Sequence, residues 1–103
     1  FRCIDITTGK VAWEREERWA KFGSKQPPVF GRGSLIWADG HFYGLGEGGL
    51  LGVFQPDSKE CKELARWQVP SLHYPCWAGP VLSDGRLYLR SEDRLVAIDL
   101  RRK

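Results

Sequence analysis

Sliding the sequence by 45 places aligns Ser34 to Gln55 with Gly79 to Leu100 without a gap. Asp39 and Gly40 meet Asp84 and Gly85, Tyr43 meets Tyr88, Glu47 meets Glu92 and Leu50 meets Leu95, five identities in 22 positions. Like-for-like apolar pairs support them: Ile36 with Val81, Phe42 with Leu87, Leu51 with Val96 and Val53 with Ile98. A third, partial copy opens the chain. There "CIDITTGK" lines up with "GVFQPDSK" at a spacing of 49, and "VAW" falls on "LARW" once a few inserted residues are allowed, so that Trp13 matches Trp67. An internal repeat of this size restricts the fold to stacked copies of one supersecondary unit.

Within a unit the apolar period is two. In "RLYLRS" Leu87 and Leu89 alternate with Arg86, Tyr88 and Arg90; in "RLVAIDL" Leu95, Ala97 and Asp99 share one face and Val96, Ile98 and Leu100 the other. That period belongs to strands. Asp39-Gly40 and Asp84-Gly85 supply tight hairpin turns, because both central residues of such a turn need positive φ and Asp-Gly tolerates it. "TTGK" (Thr7 to Lys10) and "PDSK" (Pro56 to Lys59) mark the following turn. One unit therefore reads as four strands, Ser34 to Ala38, His41 to Leu45, Leu50 to Gln55 and Lys62 to Val69.

Four antiparallel strands per repeat of this length is the pattern of a β-propeller blade, so the expected fold is all-β with about 2.3 blades of an incomplete propeller. The division is the end of one blade over 1–18, an irregular linker over 19–33, a complete blade over 34–70 and a last blade lacking its fourth strand over 71–103. "FRCIDI" already reads as mid-strand, so the chain is expected to be a C-terminal fragment that lacks its N-terminus. Open blade edges would then favour self-association.

Composition narrows the function classes. With 103 residues, 42% of them hydrophobic, there is apolar material for one small globular unit. The formal charge is +3, from 16 basic and 13 acidic residues that are interspersed. No single-sign field arises, which argues against nucleic acid. No apolar run approaches the roughly 20 residues of a membrane-spanning helix. Cys3, Cys61 and Cys76 are too few and too scattered for a disulfide scaffold or a paired zinc motif, and read as small half-buried hydrophobes.

Several chemical motifs fail on context. "GLGEGG" (Gly44 to Gly49) fits G-x-G-x-x-G, but a dinucleotide fingerprint needs a helix after the glycines and here a strand follows. "TTGK" lacks the spacing of a phosphate loop. His41 and His73 have no acidic or cysteine ligands at metal-like spacing, and His73 with Cys76 in "HYPC" offers two candidate groups without a third to orient them. Glu14, Glu16 and Glu17 alternate with Arg15 and Arg18 as a solvated segment, and Arg101, Arg102 and Lys103 form a short basic tail. No catalytic or metal-binding residue is assigned.

"DG-x-hydrophobic-Tyr" leading to "LVAID", together with "DITTGKVAW" and its Asp5, Thr8-Gly9-Lys10 and Trp13, resembles the repeat of quinoprotein-type propellers. That family includes dehydrogenases dependent on pyrroloquinoline quinone (PQQ) and a non-enzymatic lipoprotein of bacterial outer-membrane assembly. The segments "GRGSLIWADGHFYGLGEGG", "KELARWQV" and "CWAGPVLSDGRLYLRSEDRLVAIDL" are most similar to the repeat proteins grouped with the assembly factor; Arg15 to Gly33 is the least similar part.

The resemblance implies that Trp13 and Trp67 pack between blades; Trp37, inside the first strand of one blade, and Trp77, just before that of the next, read as core or inter-blade packing. Trp19, in "REERWAKFGSKQPPVFGRG", is the candidate exposed aromatic contact. It implies a bacterial periplasmic or cell-envelope location and a non-catalytic platform for protein or peptide partners, with no cofactor. The alternative it leaves open is a PQQ-dependent alcohol or sugar dehydrogenase binding PQQ with calcium in the full-length protein. The adjacent cysteines of such enzymes are absent, and Asp5, Asp39, Asp57, Asp84, Asp93 and Asp99 all occupy turn or repeat positions, so the catalytic residues would lie in missing blades. A carbohydrate-binding propeller has weaker support, from Trp19 and His73-Tyr74.

Overall fold

A computed structural model describes residues 1–15 and 30–101. They form nine strands in three antiparallel sheets. The first sheet pairs β1 (Arg2–Ile4) with β2 (Val11–Glu14). The second is an up-and-down meander of β3 (Gly33–Ala38), β4 (His41–Gly46), β5 (Leu50–Gln55) and β6 (Lys62–Gln68). The third holds β7 (Val81–Ser83), β8 (Arg86–Arg90) and β9 (Leu95–Asp99) in the same order. The described chain is all-β, and the expected strands of the middle unit lie within a residue of those found.

The two Asp-Gly turns have the backbone their residues were expected to supply. Asp39 and Asp84 take φ of 50° and 52°, and Gly40 and Gly85 take 78° and 73°. Positive φ at both central residues gives a turn whose twist matches that of the flanking strands. The aspartates are the only non-glycine residues with positive φ among those described. The first turn also has local support, since the Asp5 carboxylate accepts the Thr7 amide at 2.8 Å.

The gap-free alignment does not hold through the third strand of the unit. Phe42 pairs with Phe54 in the second sheet, whereas Leu87, 45 places after Phe42, pairs with Ile98, only 44 places after Phe54. The hairpin between β8 and β9 is one residue shorter, so Leu95 stands in the place of Leu51 rather than Leu50. A one-residue slip exchanges the faces of a strand. Leu50 is accordingly buried and Leu95 is 70% exposed, while Val96 and Ile98 turn inward. The match of Trp13 with Trp67 shifts as well. Both outer strand pairs carry a bulge, at Ala12 and at Leu64, and aligning the bulges sets Trp13 over Ala65. Trp67 lies two residues further along the same face.

The sheets stack face to face around two apolar layers, as sheet packing requires. Between the second and third sheets Leu45, Leu51, Val69, Leu72, Cys76, Leu87 and Leu89 are buried, flanked by Ile36, Tyr43, Leu82, Val96 and Ile98. Between the first and second, Phe30, Leu50 and Phe54 are buried beside Phe1, Phe42 and Cys61. The rings of Phe1, Phe30 and Phe54 meet pairwise at centroid distances of 4.9 to 5.5 Å. Gly52 makes this layer possible, because a Cβ there would lie 2.6 Å from the Phe30 ring. The Arg66 guanidinium caps the other face of the cluster, 4.7 Å from the centre of the Phe30 ring.

Candidate binding surfaces

Antiparallel order decides which loops share an end of the sheets. The Asp-Gly turns and the turns from Asp5 and from Pro56 lie at one end. The turn between β4 and β5, the turn between β8 and β9 and the long connection from β6 to β7 gather at the other. That connection is held against its neighbours by main-chain bonds: Val69 donates to Gly49 at 3.1 Å and Cys76 to Glu47 at 2.8 Å. The Gln68 side-chain amide donates to the Gly48 carbonyl at 2.9 Å. Leu72, Cys76 and Pro80 are buried. Between these anchors Tyr74 and Trp77 point outward, 62% and 60% exposed, with their rings 5.9 Å apart and nearly perpendicular.

Trp77 and Pro75 border a shallow hollow of about 150 Å³ whose other side is Ala78, Arg90, Ser91 and Glu92. Ser91 is buried and its hydroxyl bonds the Asp93 carboxylate at 3.2 Å, which fixes the turn that carries Glu92. A rigid loop presenting two aromatic rings beside a cation and an anion can hold a partner by apolar contact with a polar rim. The outward face of the third sheet continues this surface. Val81, Tyr88, Leu95 and Ala97 share it with Arg86 and Arg90, and Val81 is 57% exposed.

On the second sheet, Leu35 and Trp37 of β3 lie on the face turned toward the first sheet, yet remain 49% and 56% exposed. The two strands of the first sheet leave that end of the face uncovered. Trp37 rests edge-on against Phe42 at 4.9 Å.

The other residues singled out in the sequence fall as follows. Trp13 spans two sheets: its ring is half-buried and its indole N–H donates to the Asp57 carbonyl at 2.8 Å. Trp67 is 50% exposed on β6. Trp19 and the segment around it lie outside the described residues, as do Arg102 and Lys103. His41 bonds the Asp39 carbonyl through Nδ1 at 2.9 Å, within its own turn. The Cys76 thiol donates to the backbone carbonyl of His73 at 3.1 Å, not to its imidazole, and burial pushes that thiol's pKa up. It is therefore poorly suited to act as a nucleophile. The glycines of "GLGEGG" form the end of β4 and a turn into β5, with no helix to meet a phosphate. Asp57 is held below the usual carboxylate range first by the Lys59 amide and then by the Lys62 ammonium, so its charge serves the turn.

Among the described residues no three His, Cys, Asp or Glu side chains gather as a metal site. No helix of the described residues is long and apolar enough to cross a membrane. Sequence reasoning missed the Tyr74–Trp77 pair as an exposed unit, and also a cavity of about 450 Å³ between the first and second sheets. The only local signal for the aromatic pair was a turn-rich segment between two strands. No family model matches the chain. Neither a curated protein nor a solved structure is significantly similar to it.

Proposed function

We propose that the three sheets are consecutive blades of a β-propeller and that the chain serves as a non-catalytic platform for a protein partner. The observation that carries the proposal is the aromatic pair left open on the connection from β6 to β7, at the end of the sheets: Tyr74 and Trp77 are both more than half exposed. Contiguous exposed apolar surface of this kind marks an interaction site. Support for the blades comes from the face-to-face stacking, the up-and-down strand order and the recurrence of the unit. The uncovered Leu35 and Trp37 fit as well, since a four-stranded first sheet would cover them. A role in an envelope assembly complex agrees with the family resemblance of the repeat, and the mixed charge around the patch suits protein better than a polyanion.

A photoreactive benzoyl-phenylalanine placed in turn at positions 74 and 77, with position 59 as the control, tests this in bacterial envelope extracts. A discrete protein adduct from the first two positions and none from 59 is expected. Equal labelling from every position, or no adduct at all, overturns the platform. So does saturable binding when PQQ and calcium are titrated calorimetrically into the chain.

A further inference from the structure

Cys3, on β1, and Cys61, just before β6, line one cavity. It is the space of about 450 Å³ between the first and second sheets, walled by Phe1, Ile4, Trp13, Leu35, Phe42 and Phe54 as well as the two cysteines. Both are free and only partly buried. Cys3 of β1 alternates with Phe1, the residue just before the strand, and Phe1 packs on Phe30 and Phe54. Cys61 packs against that same aromatic cluster from the second sheet.

Two contacts bracket Cys61 against the first sheet. On one side the Arg15 guanidinium lies 3.8 Å from its sulfur, and Arg15 pairs with Phe1 through two main-chain bonds of 2.8 Å. On the other side the Trp13 indole reaches Asp57, across the same turn from Cys61, and Trp13 is the cross-strand partner of Cys3. Cys3 thus belongs to the stretch of β1 and β2 that the second sheet already grips on both flanks of Cys61. The third thiol is different: Cys76 is 1% exposed in the other apolar layer and donates to a carbonyl.

We infer that Cys3 and Cys61 are a redox pair that closes to a disulfide stapling the first sheet to the second. The oxidant is a small-molecule disulfide. One protein thiolate attacks it and releases one thiol, forming a mixed disulfide. The second protein thiolate attacks that mixed disulfide and releases the other thiol. The two protein sulfurs are oxidised by two electrons in all, the small disulfide is reduced to two thiols, and the two cysteine protons leave with them. Stacked sheets stand about 10 Å apart and a disulfide needs its Cα atoms within about 7 Å, so closure draws the first sheet toward the second across the cavity.

The test uses the full chain and oxidised glutathione. The expected product is a monomer lighter by two hydrogen atoms, with Cys3 and Cys61 peptides joined and the Cys76 thiol titrating only after denaturation. Cys3→Ser and Cys61→Ser each retain one accessible thiol and take up a single glutathione instead. Dibromobimane, which fluoresces once two thiols of one molecule are bridged, gives fluorescence with the native chain and with neither variant. Hydrogen exchange of the β1–β2 amides slows in the oxidised chain. Two glutathiones on the wild-type chain without a bridge, a bridge to Cys76, or links between chains in place of the internal one overturns the inference.

Discussion

Leu95→Ala and Leu89→Ala together test the register of β9. The substitution removes three carbons, which at about 0.8 kcal/mol per buried methylene is about 2.4 kcal/mol for a side chain fully withdrawn from water. Leu89 is 0% exposed between the second and third sheets. It bears the whole transfer loss, and the space left behind adds about 24 cal/mol per Å³, for a total of about 3 to 4 kcal/mol. Leu95 is 70% exposed, so at most about a third of the transfer loss applies, about 0.7 kcal/mol. The gap-free repeat makes the opposite prediction, because it sets Leu95 in the place of Leu50, which is 1% exposed. Urea unfolding followed by circular dichroism, with the denaturant slope compared between variants, separates the two. A loss above about 2 kcal/mol for Leu95→Ala, or below about 1 kcal/mol for Leu89→Ala, refutes the one-residue shift and the sheet packing built on it.

Other substitutions probe single contacts. Gly40→Ala meets no neighbour within 4 Å but keeps a φ of +78°, so it should cost about 1 kcal/mol through backbone strain alone, read from the same unfolding curves. Trp13→Phe leaves the Asp57 carbonyl without its indole donor and should cost about 1 kcal/mol, together with faster hydrogen exchange in β1 and β2. The hydrogen bond and charge of Arg101 hold the Asp99 carboxyl at about 2. A depressed carboxylate stabilises the fold above its ordinary value near 4 and loses that contribution as pH falls from about 4 to about 2. Carboxyl NMR titration should find the low midpoint in the wild type and a return toward the ordinary value in Arg101→Gln.

How much was legible depends on how local each feature is. The Asp-Gly hairpins could be read from two adjacent residues, because positive φ at both centres is a property of the turn itself. The inward face of β8 followed from period two alone, whereas in β9 period two separated Leu95, Ala97 and Asp99 from Val96, Ile98 and Leu100 without saying which set turns inward. The phase between strands did not follow from the period, since it rests on the length of the turn from β8 to β9, and identities such as Glu47 with Glu92 flank that turn without showing that one of the two turns is shorter. The tryptophans were harder still. The spacing of Trp13 and Trp67 suggested one recurring role, yet Trp13 reaches across to the next sheet while Trp67 stays half open to solvent. A large aromatic side chain looks alike in sequence whether it is covered or not.

By itself the sequence determined that the described parts of this protein are built from β-hairpins in antiparallel units, with Asp-Gly at the turns. These are short-range consequences of backbone sterics and side-chain alternation. Only the tertiary structure decided which faces meet. It brought Phe1 onto Phe30 and Phe54, Cys3 into one cavity with Cys61, and Cys76 into a separate layer. Those contacts join residues far apart in the chain, and they follow from stacking that must bury one face of every sheet while a single residue of turn length sets which face that is.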